Sequence, residues 1–227
     1  MCAAGKLNAE TSSPRGAGGP DVDARQQPVS GTDCGTGDSM CVGVILGFPP
    51  EIAEELQQWR ASFGDPMAEV IPAHITLITT TPTQDWDATR DHVREVARQQ
   101  APFSITISGT GSFRPVSPVV FVNVEDGFEE CVRLHERLQT GPLERLLPFP
   151  YHPHVTVAHD VAPESLDEAE TVLQDYSATF PVVSMGLYEH DSNGIWQLRE
   201  ELDFGSDSHE AREAESSSSS GQAAAAN

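Results

Sequence analysis

The sequence predicts an α+β fold built from one unit used twice, and three observations predict it. The first is a short pattern that recurs. Ala73-His74-Ile75-Thr76-Leu77 and Pro153-His154-Val155-Thr156-Val157 share a His-x-Thr core, with aliphatic residues at x and after Thr. The second is an apolar run at a similar distance upstream of each copy. Val44 lies 30 residues before His74, and Phe121 lies 33 before His154. The third is the succession of helical and extended patterns around the two copies, which matches between the halves. A unit that repeats in this order is an internal duplication.

Each element has a local reason. Cys41-Val42-Gly43-Val44-Ile45-Leu46 and Val119-Val120-Phe121-Val122-Asn123-Val124 are dense in β-branched residues and bounded by Pro or Gly. They read as buried strands. Pro49-Pro50-Glu51 opens a helix through Ile52, Leu56 and Trp59, because Pro suits the first helical turn. Phe128 to Leu138 sets Cys131, Leu134, His135 and Leu138 on one stripe, with Gly141-Pro142 as a stop. The His-x-Thr segments are strands whose imidazole and hydroxyl share one face, the aliphatic pair being buried behind. After each comes a helix and then a strand: Trp86 to Gln99 before Phe103–Ile107, and Pro163 to Asp175 before Phe180–Tyr188. A last strand, Gly194 to Asp203, closes the second half.

With 8 His and 15 Thr in 227 residues, roughly 0.5 His-x-Thr arises by chance. One copy would therefore mean nothing. Two copies with the same flanks, at the same place in a repeated unit, mark a site.

The paired His-x-Thr motifs in a duplicated α+β unit resemble the 2H phosphoesterase superfamily. Within it the chain looks most like the 2′-5′ RNA ligase / RNA 2′,3′-cyclic phosphodiesterase family. Gly47-Phe48-Pro49-Pro50-Glu51, Gly111-Ser112-Phe113-Arg114-Pro115 and Tyr151-His152-Pro153-His154-Val155-Thr156-Val157-Ala158 stand in the family's order. The likeness runs from about residue 41 to about 204. The fold it implies is a bilobal α+β domain. Each lobe is an antiparallel sheet with helices outside, and a central cleft between the sheets is lined by the motifs. The organisation expected is a disordered tail over 1–39, a two-lobed domain over 40–204, and a Ser/Ala-rich disordered tail over 205–227. The lobes are expected at about 40–115 and 116–204.

The activity implied is hydrolysis of 2′,3′-cyclic phosphates on RNA ends or small nucleotides, with reverse 2′-5′ ligation open. Opening such a ring needs a base to activate water and an acid to protonate the departing ribose oxygen. Histidine serves either role near neutral pH. By resemblance His154 is the base, His74 the acid, and Thr76 and Thr156 the phosphate ligands. Their hydroxyls would bond the non-bridging oxygens more strongly as charge develops. The scheme requires no metal and no other cofactor. Two further readings stay open: a non-catalytic phosphate- or nucleotide-binding module, and a 2H esterase for a non-RNA cyclic phosphate.

Other residues are candidate substrate contacts. Arg114, in a Gly- and Pro-flanked loop, has the guanidinium that suits phosphate. Phe48, Phe113 and Tyr151, near strand ends, either stack on a base or belong to the lobe edges. His152 shares a face with His154 and is a second contact, while His159-Asp160 marks a strand end. His92, His135 and His190 read as ordinary element surfaces.

Composition bounds the partners. Between residues 41 and 204 lie nine Arg, no Lys and 26 acidic residues, a formal charge of −17. Such a field repels polyanions. The substrate expected is a small cyclic nucleotide or an RNA 3′-end with a 2′,3′-cyclic phosphate, not long duplex nucleic acid. Joining two RNA ends sits poorly with this charge. The tails lack any periodic apolar pattern. The N-terminus shows no apolar signal region and no segment is long enough for a bilayer, so no membrane association is expected. Cys2, Cys34, Cys41 and Cys131 show no paired or metal-like spacing. A cytoplasmic monomer with reduced thiols is expected.

Overall fold

The aliphatic runs become the second strand in from the edge of each sheet, and the motifs become the edges. The structure, a computed structural model, describes residues 40–190 and 196–205. Apart from Gly205, the expected tails lie outside the described residues. The first unit runs β1 (Met40–Leu46), α1 (Pro50–Phe63), β2 (Ile75–Thr83), α2 (Trp86–Arg98) and β3 (Phe103–Ser112). The second runs β4 (Val119–Asp126), α3 (Phe128–Leu138), β5 (His154–His159), α4 (Pro163–Val172) and β6 (Ser177–Val182). Then follow β7 (Ser184–His190) and β8 (Trp196–Asp203).

The strands form two four-stranded sheets, β2-β1-β7-β8 and β5-β4-β3-β6. Every pairing is antiparallel. The edge strands β2 and β5 lie against each other, and the helices lie behind. This is the expected bilobal α+β architecture.

Two expectations about its wiring are corrected. The sheets do not follow the halves 40–115 and 116–204. Strand β3 of the first half pairs with β4 in the second sheet, and β7 and β8 of the second half complete the first. The reason is local. Only residues 113–118 separate β3 from β4, so a hairpin closes at little entropic cost. The span Phe180–Tyr188 is likewise not one strand. The chain leaves the second sheet after Val182 and enters the first at Ser184, with Val183 exposed between them. Pro181 has no N–H to offer a ladder, and β6 is an edge strand that tolerates it.

Packing explains why the motif alternates. Ile75, Leu77, Val155 and Val157, the aliphatic positions of both motifs, are fully buried in one core. Each such burial contributes about 1.5–3 kcal/mol. Helices α1 and α4 pack on the second sheet, α2 against β7 and β8, and α3 against β2 and β4. Asp85 caps α2 by accepting from the Ala88 N–H at 2.9 Å.

Cys41 is disulfide-bonded, while Cys131 is a buried free thiol. The expectation of four reduced thiols is corrected. Among the described residues no helix is long and apolar enough to cross a membrane.

Candidate active site

His74 is positioned by the end of α1. Gly64 stops that helix in the left-handed conformation, and the chain turns back over it. Arg60 is buried and donates from Nε to buried Asp65 at 3.0 Å. Its Nη1 donates to the Ile71 carbonyl at 2.5 Å. Gln57 accepts from the Ala73 N–H at 3.0 Å. Residues 65–73 are thus laced to the helix, and they deliver His74 immediately before β2. The His74 ring then donates Nδ1–H to the Pro72 carbonyl at 2.8 Å.

His154 repeats that geometry as the first residue of β5. Its Nδ1–H goes to the His152 carbonyl at 2.7 Å. A carbonyl only accepts, so Nδ1 holds the proton in each neutral ring and the lone pair sits on Nε2. The Phe113 ring stands edge-on to His154 at 4.9 Å and Phe121 lies at 5.1 Å. Trp196 flanks His74 at 6.1 Å. Glycines make room for these rings. A Cβ on Gly43 would meet Trp196 at 2.5 Å, and one on Gly111 would meet Phe121 at 2.6 Å.

Thr76 lies opposite Ile45 in the ladder, and Thr156 opposite Phe121. Most threonine hydroxyls nearby are used: Thr81 bonds Thr79 O, Thr83 meets Thr89, and Thr110 bonds Glu170 O. Among the described residues, the Thr76 and Thr156 hydroxyls make no hydrogen bond. Both threonines are half-buried, and their hydroxyls beside two Nε2 atoms without a protein partner form a polar focus open to a ligand.

Burial sets the charge of the rings. It pulls His154 down to about 4, helped by nearby His152 and His74 and opposed by the His152 carbonyl. Burial also lowers His74, with the Arg60 cation adding and the Pro72 carbonyl opposing. The two imidazoles are close enough that a charge on one disfavours a charge on the other. An anion between them would reverse both effects.

A groove of about 600 Å³ opens from Thr76 and His154 along the outer edge of β2. That edge would expose bare carbonyls, and side chains cover them. Tyr151 Oη donates to Thr76 O at 2.9 Å, His135 Nδ1–H to Leu77 O at 2.7 Å, and Arg145 Nη1 to Thr80 O at 3.2 Å.

Of the candidates, Thr76, Phe113, Tyr151, His152 and His154 line the groove, His74 lies near His154, and Thr156 lies opposite Phe121 in the ladder. His152 is exposed and faces Phe113, Phe121 and Phe128. Tyr151 combines both expected positions: it lines the groove, uses its hydroxyl on β2, and stacks on His135 at 3.9 Å. Of the two positions open to Phe48, the structure shows the lobe edge, where it packs on Phe180 at 5.0 Å at the core margin. Arg114 is corrected. Its guanidinium holds Asp167 and Glu170 of α4, each at 2.6 Å. Ser112 and Thr110 oppose Val120 and Val122, whereas Gly111 opposes Phe121, so α4 lies across the sheet from His154. An acidic helix simply neutralises the nearest cation.

Sequence reasoning missed Trp196, Phe121, Arg60, Arg145 and the role of His135, which is buried, not ordinary. A signal existed for the first two. Gly43 and Gly111 interrupt strand patterns, which marks close approach of another group. Among the described residues no three His, Cys, Asp or Glu side chains gather as a metal-holding group.

Two sheets, each with a His-x-Thr strand at its edge, carry the paired motif of a 2H phosphoesterase. The family model described as the 2′-5′ RNA ligase superfamily matches residues 48–194, and the chain belongs to that family. A provisionally named phosphoesterase of Bacillus pumilus (strain SAFR-032) is 31% identical over 172 residues, spanning 73% of this chain and 98% of the relative. One from Bacillus licheniformis is 29% identical over 171 residues, spanning 73% and 99%. The crystal structure of E. coli LigT complexed with 3′-AMP has the same fold, with a TM-score of 0.54 and 18% identity over 74% of this chain and 99% of LigT. The TT0787 protein of Thermus thermophilus gives a TM-score of 0.50 at 20% identity over 73% and 98%.

Proposed function

We propose that the domain over residues 40–204 is a metal-independent phosphodiesterase that opens 2′,3′-cyclic phosphates on RNA ends or small nucleotides. The observation that carries this is the matched pair of rings. Both imidazoles spend Nδ1–H on backbone and keep Nε2 for chemistry, and a free Thr hydroxyl accompanies each. LigT, which shares the fold, has been crystallised with 3′-AMP, ATP and NADP+, which supports a nucleotide-sized ligand.

In this scheme His154 Nε2 takes a proton from water as the water oxygen bonds to phosphorus. The bond from phosphorus to one ribose oxygen breaks, and His74, protonated at Nε2, gives that oxygen its proton. Thr76 and Thr156 donate to the non-bridging oxygens, where charge grows in the transition state. Reversal exchanges the two histidine roles.

The test is hydrolysis of 2′,3′-cyclic mononucleotides, and of a short RNA ending in a cyclic phosphate, with EDTA present. His74→Ala and His154→Ala are each expected to lose about 10²–10⁴-fold in kcat while retaining the wild-type circular dichroism. Turnover that survives the double replacement would overturn the scheme.

A further inference from the structure

We propose that Tyr151 and His135 are positioning residues: they clamp a bulge in β2 and so aim the Thr76 hydroxyl at the reacting phosphate. The proposal rests on the phosphodiesterase reading above and assigns what holds its first motif in place.

Alternation breaks in β2 immediately after the motif. Thr76 pairs with Ile45, but the next matched pair is Ile78 with Val44, so two residues of β2 advance against one of β1. Leu77 is the extra residue of a β-bulge. Strict alternation would turn Ile78 to the same face as Thr76, yet Leu77 and Ile78 both lie buried in the core. Strand β5 repeats the device. Thr156 pairs with Phe121 and Ala158 with Val120, and Val157 and Ala158 are both in the core. Each His-x-Thr motif therefore ends on a bulge, which bends the strand just after the threonine and re-aims its side chain.

The bulge also turns two backbone carbonyls to one side. In a regular strand, successive carbonyls point to opposite edges. The Thr76 and Leu77 carbonyls are successive, yet both accept from groups beyond the outer edge of β2. Tyr151 Oη donates to the first at 2.9 Å and His135 Nδ1–H to the second at 2.7 Å. No neighbouring strand holds that edge, so these two side chains supply the hold a ladder would give.

The clamp is stiff and it reaches the other motif. The Tyr151 and His135 rings stack with centroids 3.9 Å apart and planes 7° from parallel. His135 is anchored in α3, and Tyr151 stands three residues before His154 on the segment that enters β5. One side chain thus ties the Thr76 backbone to the chain that delivers His154. Burial raises the Tyr151 phenol above its ordinary range, so the donor proton stays on the oxygen. Burial lowers His135, and the neutral ring keeps its Nδ1 proton on Leu77 O.

The experiment is a double-replacement cycle on adenosine 2′,3′-cyclic phosphate. Tyr151→Phe keeps the stack on His135 and removes only the hydroxyl, and kcat is expected to fall about tenfold with KM unchanged. His135→Phe keeps the stack and uncovers Leu77 O, and the same pattern is expected. Wild-type kcat in both variants, or a rise in KM alone, would overturn the proposal, because the rings would then be groove walls or substrate contacts. In a Thr76→Val background, Tyr151→Phe is expected to cost less than about twofold, since the hydroxyl it aims is gone. Losses that multiply would overturn the proposal as well. Amide hydrogen exchange supplies a readout apart from activity. Tyr151→Phe is expected to speed exchange over residues 76–78 about tenfold and to leave β4 unchanged. Faster exchange there in a protein that turns over no cyclic phosphate would sustain the clamp and sink the catalytic reading. Turnover with unchanged exchange would do the reverse.

Discussion

His74 and His154 make one and the same hydrogen bond, from Nδ1–H to the carbonyl two residues upstream, Pro72 in one case and His152 in the other. Because the donor nitrogen is fixed by backbone, each ring turns Nε2 outward whatever its neighbours do. The duplication has thus preserved a bond along with the residue types.

The pH profile follows from the charge of this pair. Hydrolysis needs one ring neutral and the other protonated. Burial lowers both rings, His154 to about 4, so proton uptake occurs on the acid side of the ordinary value near 6.5. The singly protonated pair is then lost as pH rises. For free enzyme and substrate, kcat/KM is expected to peak below pH 6.5 and to fall about tenfold per pH unit above its upper limb. A profile flat from pH 6 to 8 would refute this assignment.

Thr76→Val and Thr156→Val remove one free hydroxyl each and nearly keep the volume. If those hydroxyls meet growing charge, kcat falls about 10²-fold in each while KM changes little. Steady-state kinetics on a cyclic mononucleotide distinguishes this from a ground-state contact, which would raise KM instead.

Arg60→Met strands the Asp65 carboxylate in the interior. Urea unfolding is expected to show a loss of about 3 kcal/mol. Adding Asp65→Leu should restore most of the stability but not the activity. The double variant still lacks the bond to Ile71 O that sets the approach to His74.

Arg114→Ala provides a contrast. The side chain holds α4, not the cleft, so KM for a cyclic mononucleotide is expected to stay within about twofold of wild type. A large rise in KM would show that the guanidinium swings to the substrate.

How legible all this was depended on the range of the interaction. The elements and the two motifs follow from alternation within short segments, so Ile75, Leu77, Val155 and Val157 sit where their pattern puts them. The pairing of β3 with β4, and of β7 with β1, depends on competition between distant strands, which alternation does not encode. Arg114 shows the same limit on a smaller scale. Its loop and chemistry suggested phosphate, but a helix some 50 positions later supplied two carboxylates.

The exchanged third strands have a consequence for any attempt to take the molecule apart. A cut between Ser112 and Val119 divides the sequence at its natural repeat, yet each fragment would lack strands that its sheet needs. The first would carry β3 with no β4 beside it, and β1 with no β7. The repeats behave as interlocked pieces of one enzyme: neither should fold alone, and co-expressed fragments should regain structure only by reassembling with each other.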